Sequence, residues 1–187
     1  MNTRIFYLHV LSVLHVGTGQ GVGAVDLPIA RSRATNLPLV PGSALKGVLR
    51  DEAKEKWHLN QDDIQALFGA DSQADKENIH ASAAAFGDAH LLLLPIRSFA
   101  GTVAFATCPF ILQRYARDVR GLQPESPKVP VLKDSASVPD NTVLRISGSQ
   151  IALEDLDIGS ETSAEAKQWA EHIAAAVYPE SAADYQA

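Results

Sequence analysis

The sequence has little cysteine and no long apolar run, and both absences limit what the protein can be. Cys108 is the single cysteine among 187 residues, so the chain has no partner for an internal disulfide and no second thiolate for a metal site. The most apolar early stretch is interrupted at Ser12 and His15, and no segment approaches the roughly 20 apolar residues of a membrane span. The sequence therefore predicts a protein of the reducing cytoplasm, without signal peptide, anchor or membrane partner.

The composition is that of an ordinary folded protein. Hydrophobic residues make up 46% and charged residues 20%, which excludes disordered, collagen-like and coiled-coil chains. A chain of 187 residues can bury a sizeable core without disulfides or metals. We therefore expect a single domain over residues 1–187.

Charge is distributed unevenly along the chain, whose net charge is −6. Residues 1–60 hold seven Lys and Arg against four Asp and Glu, whereas residues 61–187 hold nine against eighteen. A basic first third is suited to a local anion site, although chance gives the same imbalance in a chain of this size.

Residues 17–41 are predicted to form one long, flexible, glycine-rich loop after a strand over residues 5–16. Loops of this length are uncommon in compact domains and are usually functional or disordered. The order Gly19-x-Gly21-x-x-Ala24 fits a loose dinucleotide-binding pattern. However, an extended stretch with a proline follows in place of the helix that this motif requires, so a nucleotide-cofactor enzyme is a remote alternative.

The same loop contains Asp26, the single acidic residue among the first fifty. It is a charged side chain presented by a flexible loop, a turn residue, or a partner for Arg31 or Arg33. His15, at the end of the predicted strand, is likewise either a catalyst or a packed histidine.

A helix is predicted to begin at Ser43, whose side chain is of a type that caps helices. Lys46 and Arg50 lie four residues apart on it and share one face. The other predicted elements are a helix after Asn60 that ends at Gly69, a polar connector over 70–79, strands over 89–96, 102–107 and 143–146, a helix over 109–120, a proline-rich loop or arm over 122–141, and a helix over 163–177 begun by the capping box Thr162-x-x-Glu165. This order predicts an α+β fold with helices on one side of an antiparallel sheet.

Three segments together resemble a known family: His15-Val-Gly-Thr-Gly-Gln-Gly21, Val25-Asp-Leu-Pro-Ile29 and Leu39-Val-Pro-Gly-Ser-Ala-Leu-Lys-Gly-Val-Leu-Arg50. They are similar to the backbone RAMP subunit of the type III-B (Cmr) CRISPR effector complex, and residues 86–98 and 104–110 continue the likeness. The type III-A counterpart is the alternative. One departure is Val16, where the family commonly has proline.

The resemblance implies a ferredoxin-like (RRM-type) RAMP fold with insertions, whose copies stack along a CRISPR guide RNA beside other Cmr subunits. Target single-stranded RNA pairs with the guide and is cut once per subunit by an endoribonuclease that uses a divalent metal, Mg²⁺ or Mn²⁺. The cleavage residue falls on Asp26, as base or metal ligand, with His15 as a further candidate. Guide-backbone contacts fall on Ser43, Lys46 and Arg50.

The resemblance also implies a longer chain, since family members continue through a second half. We therefore expect residues 1–187 to be the N-terminal part of the family's fold, truncated at the C-terminus. A structural RNA-binding filament subunit that does not cut is the competing function, and in it Asp26 is dispensable.

Overall fold

The computed structural model describes residues 2–18, 27–70, 81–132, 134–178 and 180. Its elements in chain order are β1 (Leu39–Val40), α1 (Gly42–Glu55), α2 (Gln61–Phe68), β2 (Ala89–His90), β3 (Leu94–Arg97), β4 (Val103–Ala106), α3 (Pro109–Asp118), β5 (Ala136–Val138), β6 (Arg145–Ser147), β7 (Gln150–Leu153), β8 (Leu156–Thr162) and α4 (Ala164–Val177). The α+β prediction is confirmed, and a ferredoxin-like arrangement is consistent with it. Within the described ranges, no helix has the length and apolarity to cross a membrane.

The chain divides into two compact units, one formed by residues 12–91 and one by residues 1–11 with 92–187. In the unit of residues 12–91, α1 and α2 pack together through a core centred on Ala53, Ile64 and Phe68. Strands β1 and β2 pair antiparallel, with Leu39 opposite His90. The expected single domain stays a prediction.

In the other unit, β3 and β4 form an antiparallel hairpin, and a four-stranded sheet has the order β5-β8-β7-β6. Strand β5 runs parallel to β8, while β7 pairs antiparallel with both of its neighbours. Helices α3 and α4 pack through Leu112, Trp169 and Ile173. Strand β5 lies inside the proline-rich stretch 122–141 that was expected to be a loop, and β7 and β8 were not predicted.

The predicted strand over residues 5–16 was wrong, because among its described residues only Val16, whose carbonyl accepts from the Ala30 N–H, has a backbone partner. The alternation behind that prediction is nevertheless present, since Phe6 and Leu8 are exposed while Tyr7 is half-buried. The segment is held by side chains instead. The Tyr7 hydroxyl lies 2.7 Å from that of Tyr115, and the Tyr178 hydroxyl lies 3.2 Å from His9 Nε2.

One interior strand was predicted over residues 89–96, which contain a run of four leucines at 91–94, and this prediction was also wrong. The stretch contains two short strands with different partners, because β2 pairs with β1 and β3 pairs with β4. Leu94 is 46% exposed. A run of four leucines is equally compatible with a strand and with an apolar connector, so its hydrophobicity alone did not fix the pairing.

Two helix caps differ from their predictions. Ser43 makes no capping hydrogen bond, and the Asp88 Oδ1 accepts from the Gly42 N–H at 2.8 Å instead. On α4 the cap is Ser163, not Thr162, and its hydroxyl oxygen accepts from the Ala166 N–H. Both ends keep a polar acceptor for a free helix N–H group, as helix termini require.

We expect Gly42→Ala to destabilise the chain. A Cβ on Gly42 would collide with the Phe86 carbonyl oxygen and lie 2.9 Å from its carbon. Backbone atoms cannot move aside alone, so the collision is relieved only if α1 or the residues beside Phe86 shift as well. The expected loss is more than about 1 kcal/mol in urea unfolding. Gly47→Ala is the control, because its Cβ meets nothing within 4 Å and a mid-helix alanine should gain up to about 1 kcal/mol. Equal effects of Gly42→Ala and Gly47→Ala on the free energy of unfolding would contradict the close approach of Gly42 to the Phe86 carbonyl.

We expect stability to fall as pH decreases through the histidine range. Burial against the rings of Tyr115 and Trp169 lowers the pKa of His172, so the unfolded chain binds this proton more readily than the folded chain. The stabilisation is complete above the unfolded value of about 6.5 and is lost as pH falls below it. Melting temperatures at about pH 7.5 and about pH 5.5 should differ less in His172→Gln than in wild type. A wild-type difference in His172→Gln would contradict this account.

Candidate nucleic-acid interface

The predicted glycine-rich loop begins and ends in paired backbone where it is described. The Thr18 N–H donates to the Pro28 carbonyl at 2.9 Å, and the Ala30 N–H donates to the Val16 carbonyl at 2.7 Å. Further along, a bridge between Arg31 and Pro38 leads into β1. Residues 16–18 and 28–30 are therefore two antiparallel arms, which the sequence joins through residues 19–26. Asp26 lies outside the described residues.

His15 lies at the base of these arms. Its Nε2 is 2.7 Å from the Leu27 carbonyl oxygen, so the ring nitrogen donates to that carbonyl. Gly17 fits closely beside the same residue, because a Cβ there would lie 2.7 Å from the Leu27 Cβ. His15 thus contacts the backbone of the residue that directly follows Asp26 in the sequence.

The three predicted contacts on α1 lie within its first nine residues. Ser43 is exposed, while Lys46 and Arg50 are half-buried. One turn separates the two cations, so they lie on the same side of the helix, as the four-residue spacing predicted. This face has two positive charges and no carboxylate between Gly42 and Arg50.

Three backbone N–H groups at the start of α1 are already engaged. Gly42 donates to the Asp88 carboxylate, and the N–H groups of Ala44 and Leu45 both donate to the Pro41 carbonyl at 3.0 and 3.1 Å. Asp88 also places a negative charge where the helix dipole favours an anion. An anion near α1 is therefore bound by side chains, chiefly the cations, and not by these three groups.

Residues 81–88 form a segment, here called the strap, that crosses the first turns of α1. Ser82 Oγ accepts from the Lys46 ammonium at 2.9 Å. Phe86 packs on the core of this unit, and its ring stacks on Phe68 with centroids 5.9 Å apart and planes 2° from parallel. Asp88 caps Gly42. The strap thus fixes both the beginning of α1 and one of its cations.

Sequence reasoning missed Ser82 and Asp88. Asp88 follows Gly87, where a carboxylate is typical of an ordinary turn, and its partner Gly42 is 46 residues away. The polar connector predicted over residues 70–79 lies almost wholly outside the described residues. Only the folded arrangement identifies these two side chains.

Metal ligands are sparse in this part of the chain. Among the residues that the structure describes, no group of three His, Cys, Asp or Glu side chains is arranged to hold a metal ion. The His15 Nε2 is occupied by the Leu27 carbonyl. Such a cage of three or more protein side chains is therefore not present in the described ranges, and an ion bound there would take further ligands from water and phosphate.

Known proteins resemble this chain in both sequence and fold. The CRISPR system Cmr endoribonuclease Cmr4 of Pyrococcus furiosus is 35% identical over 138 residues, which are 73% of this chain and 46% of that protein. The CRISPR system Cms endoribonuclease Csm3 of Enterococcus italicus is 40% identical over 76 residues, 34% of this chain and 35% of that protein. The crystal structure of oligomeric Cmr4 from Pyrococcus furiosus matches with a TM-score of 0.70 and 28% identity over 85% of this chain and 59% of that one.

The chain spans about half the length of the Pyrococcus relative that it matches, and the expected resemblance to type III-B backbone subunits is confirmed. The family model described as RAMPs, the RAMP superfamily, matches residues 7–175. Because that match includes both compact units, this chain belongs to the RAMP superfamily.

Proposed function

We propose that this chain acts in a type III-B CRISPR complex as a backbone subunit that binds guide RNA and cleaves the paired target RNA. The observation that supports it most is the likeness to Cmr4 in both sequence and fold. Its partners are guide RNA, target RNA, further copies of the chain and other Cmr subunits. The Csm3 likeness makes a type III-A complex the alternative.

The cationic face of α1 suits an RNA backbone. Lys46 and Arg50 present two positive charges one turn apart, and the hydroxyl of exposed Ser43 adds a further donor. Phosphate contacts of this kind position a strand without recognising its sequence. That is sufficient here, because the guide recognises its target by base pairing. Local positive charge therefore permits RNA binding in a chain whose net charge is −6.

In the proposed cleavage the nucleophile and the leaving group both belong to the RNA, and this chain contributes one carboxylate. The 2′-oxygen of the target ribose attacks its adjacent phosphorus, the bond from phosphorus to the 5′-oxygen breaks, and a cyclic phosphate and a 5′-hydroxyl result. The reaction requires the attacking and leaving oxygens to be in line, which a distorted strand provides. Asp26 accepts the 2′-hydroxyl proton, or would hold a divalent ion while water accepts that proton, and water supplies a proton to the leaving oxygen.

Mg²⁺ or Mn²⁺ is part of the proposal. Such an ion would stabilise the negative charge that develops on the phosphate. Asp26 is the one carboxylate that the sequence offers for it among the first fifty residues. The remaining ligands would come from phosphate oxygens and water.

We expect Asp26→Asn to abolish cutting and to leave RNA binding intact, because the amide keeps the volume but loses charge and basicity. In the assembled complex with Mg²⁺, the ladder of target products should fall at least about 100-fold, the size of a lost general base. Asp118→Asn, which neutralises an exposed carboxylate on α3, is the matched control and should cut normally. An undiminished ladder in Asp26→Asn would place the chemistry elsewhere. No ladder in wild type would favour the filament subunit that does not cut.

We expect His15 to act by holding Leu27, so a substitute that keeps the hydrogen bond should keep activity. The side-chain amide of His15→Gln can donate to the same carbonyl but cannot transfer protons near neutral pH. It should retain most cleavage, whereas His15→Ala should lose about tenfold from a misplaced catalytic group. Initial rates in the assembled complex measure both. Equal losses in the two variants would show that His15 transfers a proton instead.

A further inference from the structure

We propose that Ser82 is a positioning residue for Lys46, holding its ammonium in place for an RNA phosphate. The inference rests on the proposed function and extends it to a side chain on the strap. Its basis is the 2.9 Å hydrogen bond from Lys46 Nζ to Ser82 Oγ.

Ser82 is itself oriented as an acceptor. Its hydroxyl donates to the Ala84 carbonyl oxygen at 2.9 Å, so its proton is committed and its lone pairs are available to the ammonium. A hydroxyl in this state accepts well but does not compete as a donor. The contact is also partly buried, where a charge-assisted hydrogen bond is stronger than it is in water.

The backbone around Ser82 is fixed by α2. The Ala83 N–H donates to the Ala66 carbonyl at 2.8 Å, and the Ala84 N–H donates to the Leu67 carbonyl at 3.1 Å. Both acceptors belong to the last turn of α2, where carbonyls have no partner within the helix. Since α2 packs on α1 through the Ala53 core, the acceptor and the helix that bears Lys46 belong to one packed assembly.

Ordering of this kind favours binding. A lysine side chain has four flexible carbons and loses much rotamer freedom when it is held against a phosphate. Ser82 imposes part of that ordering before RNA arrives, which lowers the entropic cost of association. An ammonium has three N–H donors, so a bond to Ser82 is compatible with simultaneous bonds to phosphate oxygens.

The test is a double-mutant cycle on RNA affinity. The probe is a fluorescein-labelled single-stranded RNA titrated with the purified full chain at fixed salt. Lys46→Ala should weaken binding, and Ser82→Ala should weaken it about threefold, the size of one hydrogen bond. When Lys46 is already alanine, Ser82→Ala should have no further effect on RNA affinity, because the effects of substitutions at two contacting residues are not additive. Ser82→Thr keeps the hydroxyl and should bind like wild type.

Two comparisons separate positioning from general destabilisation. Ser160→Ala is the matched control, since its hydroxyl also donates to a backbone carbonyl at 2.9 Å, that of Ser149. It should lower the melting temperature without changing RNA affinity. Normal affinity in Ser82→Ala, or an equal loss when Lys46 is already alanine, would overturn the inference and leave the proposed function standing. Normal affinity in Lys46→Ala would overturn the inference together with the proposed RNA contact.

Discussion

The close approach of the strap to the first turn of α1 is the constraint on which the geometry of the unit of residues 12–91 depends. Gly42 leaves no room for a Cβ beneath the Phe86 carbonyl. Because of that contact, Asp88 reaches the Gly42 N–H and Phe86 reaches the core beside Phe68. The position of α1, and with it Lys46, follows from backbone packing and not from helix propensity.

This constraint also determines how α1 can bind an anion. A helix N-terminus usually offers free N–H groups and a favourable dipole to a phosphate. Here Asp88 occupies that position, and the N–H groups of Ala44 and Leu45 bond to the Pro41 carbonyl. Under the proposed function, the attraction for RNA therefore comes mainly from the side-chain charges of Lys46 and Arg50, about one turn further along the helix. Such contacts are sensitive to salt and insensitive to sequence, as the proposed binding of a guide requires.

The parts of the fold that the sequence predicted are those determined by local periodicity. The helices of the described ranges occur close to where apolar spacing placed them, although two of their caps are different residues. The missed features depend on distant partners. Asp88 replaces Ser43 as a cap across 46 residues, and residues 5–16 form no strand because backbone pairing, not alternation, defines one. Within the site, spacing predicted the face shared by Lys46 and Arg50, but no local pattern indicated Ser82.

Under the proposed function, the two chemical tasks lie within one unit. The cationic face of α1 and the arms that flank residues 19–26 both belong to residues 12–91. The Leu27 carbonyl accepts from His15, and Asp26 precedes Leu27 in the sequence. Each copy bound along a guide RNA therefore supplies one cationic face to the guide's phosphate backbone and one carboxylate. The distance between cuts is then the length of RNA that one copy spans, so a regular interval follows from stacking and needs no sequence recognition.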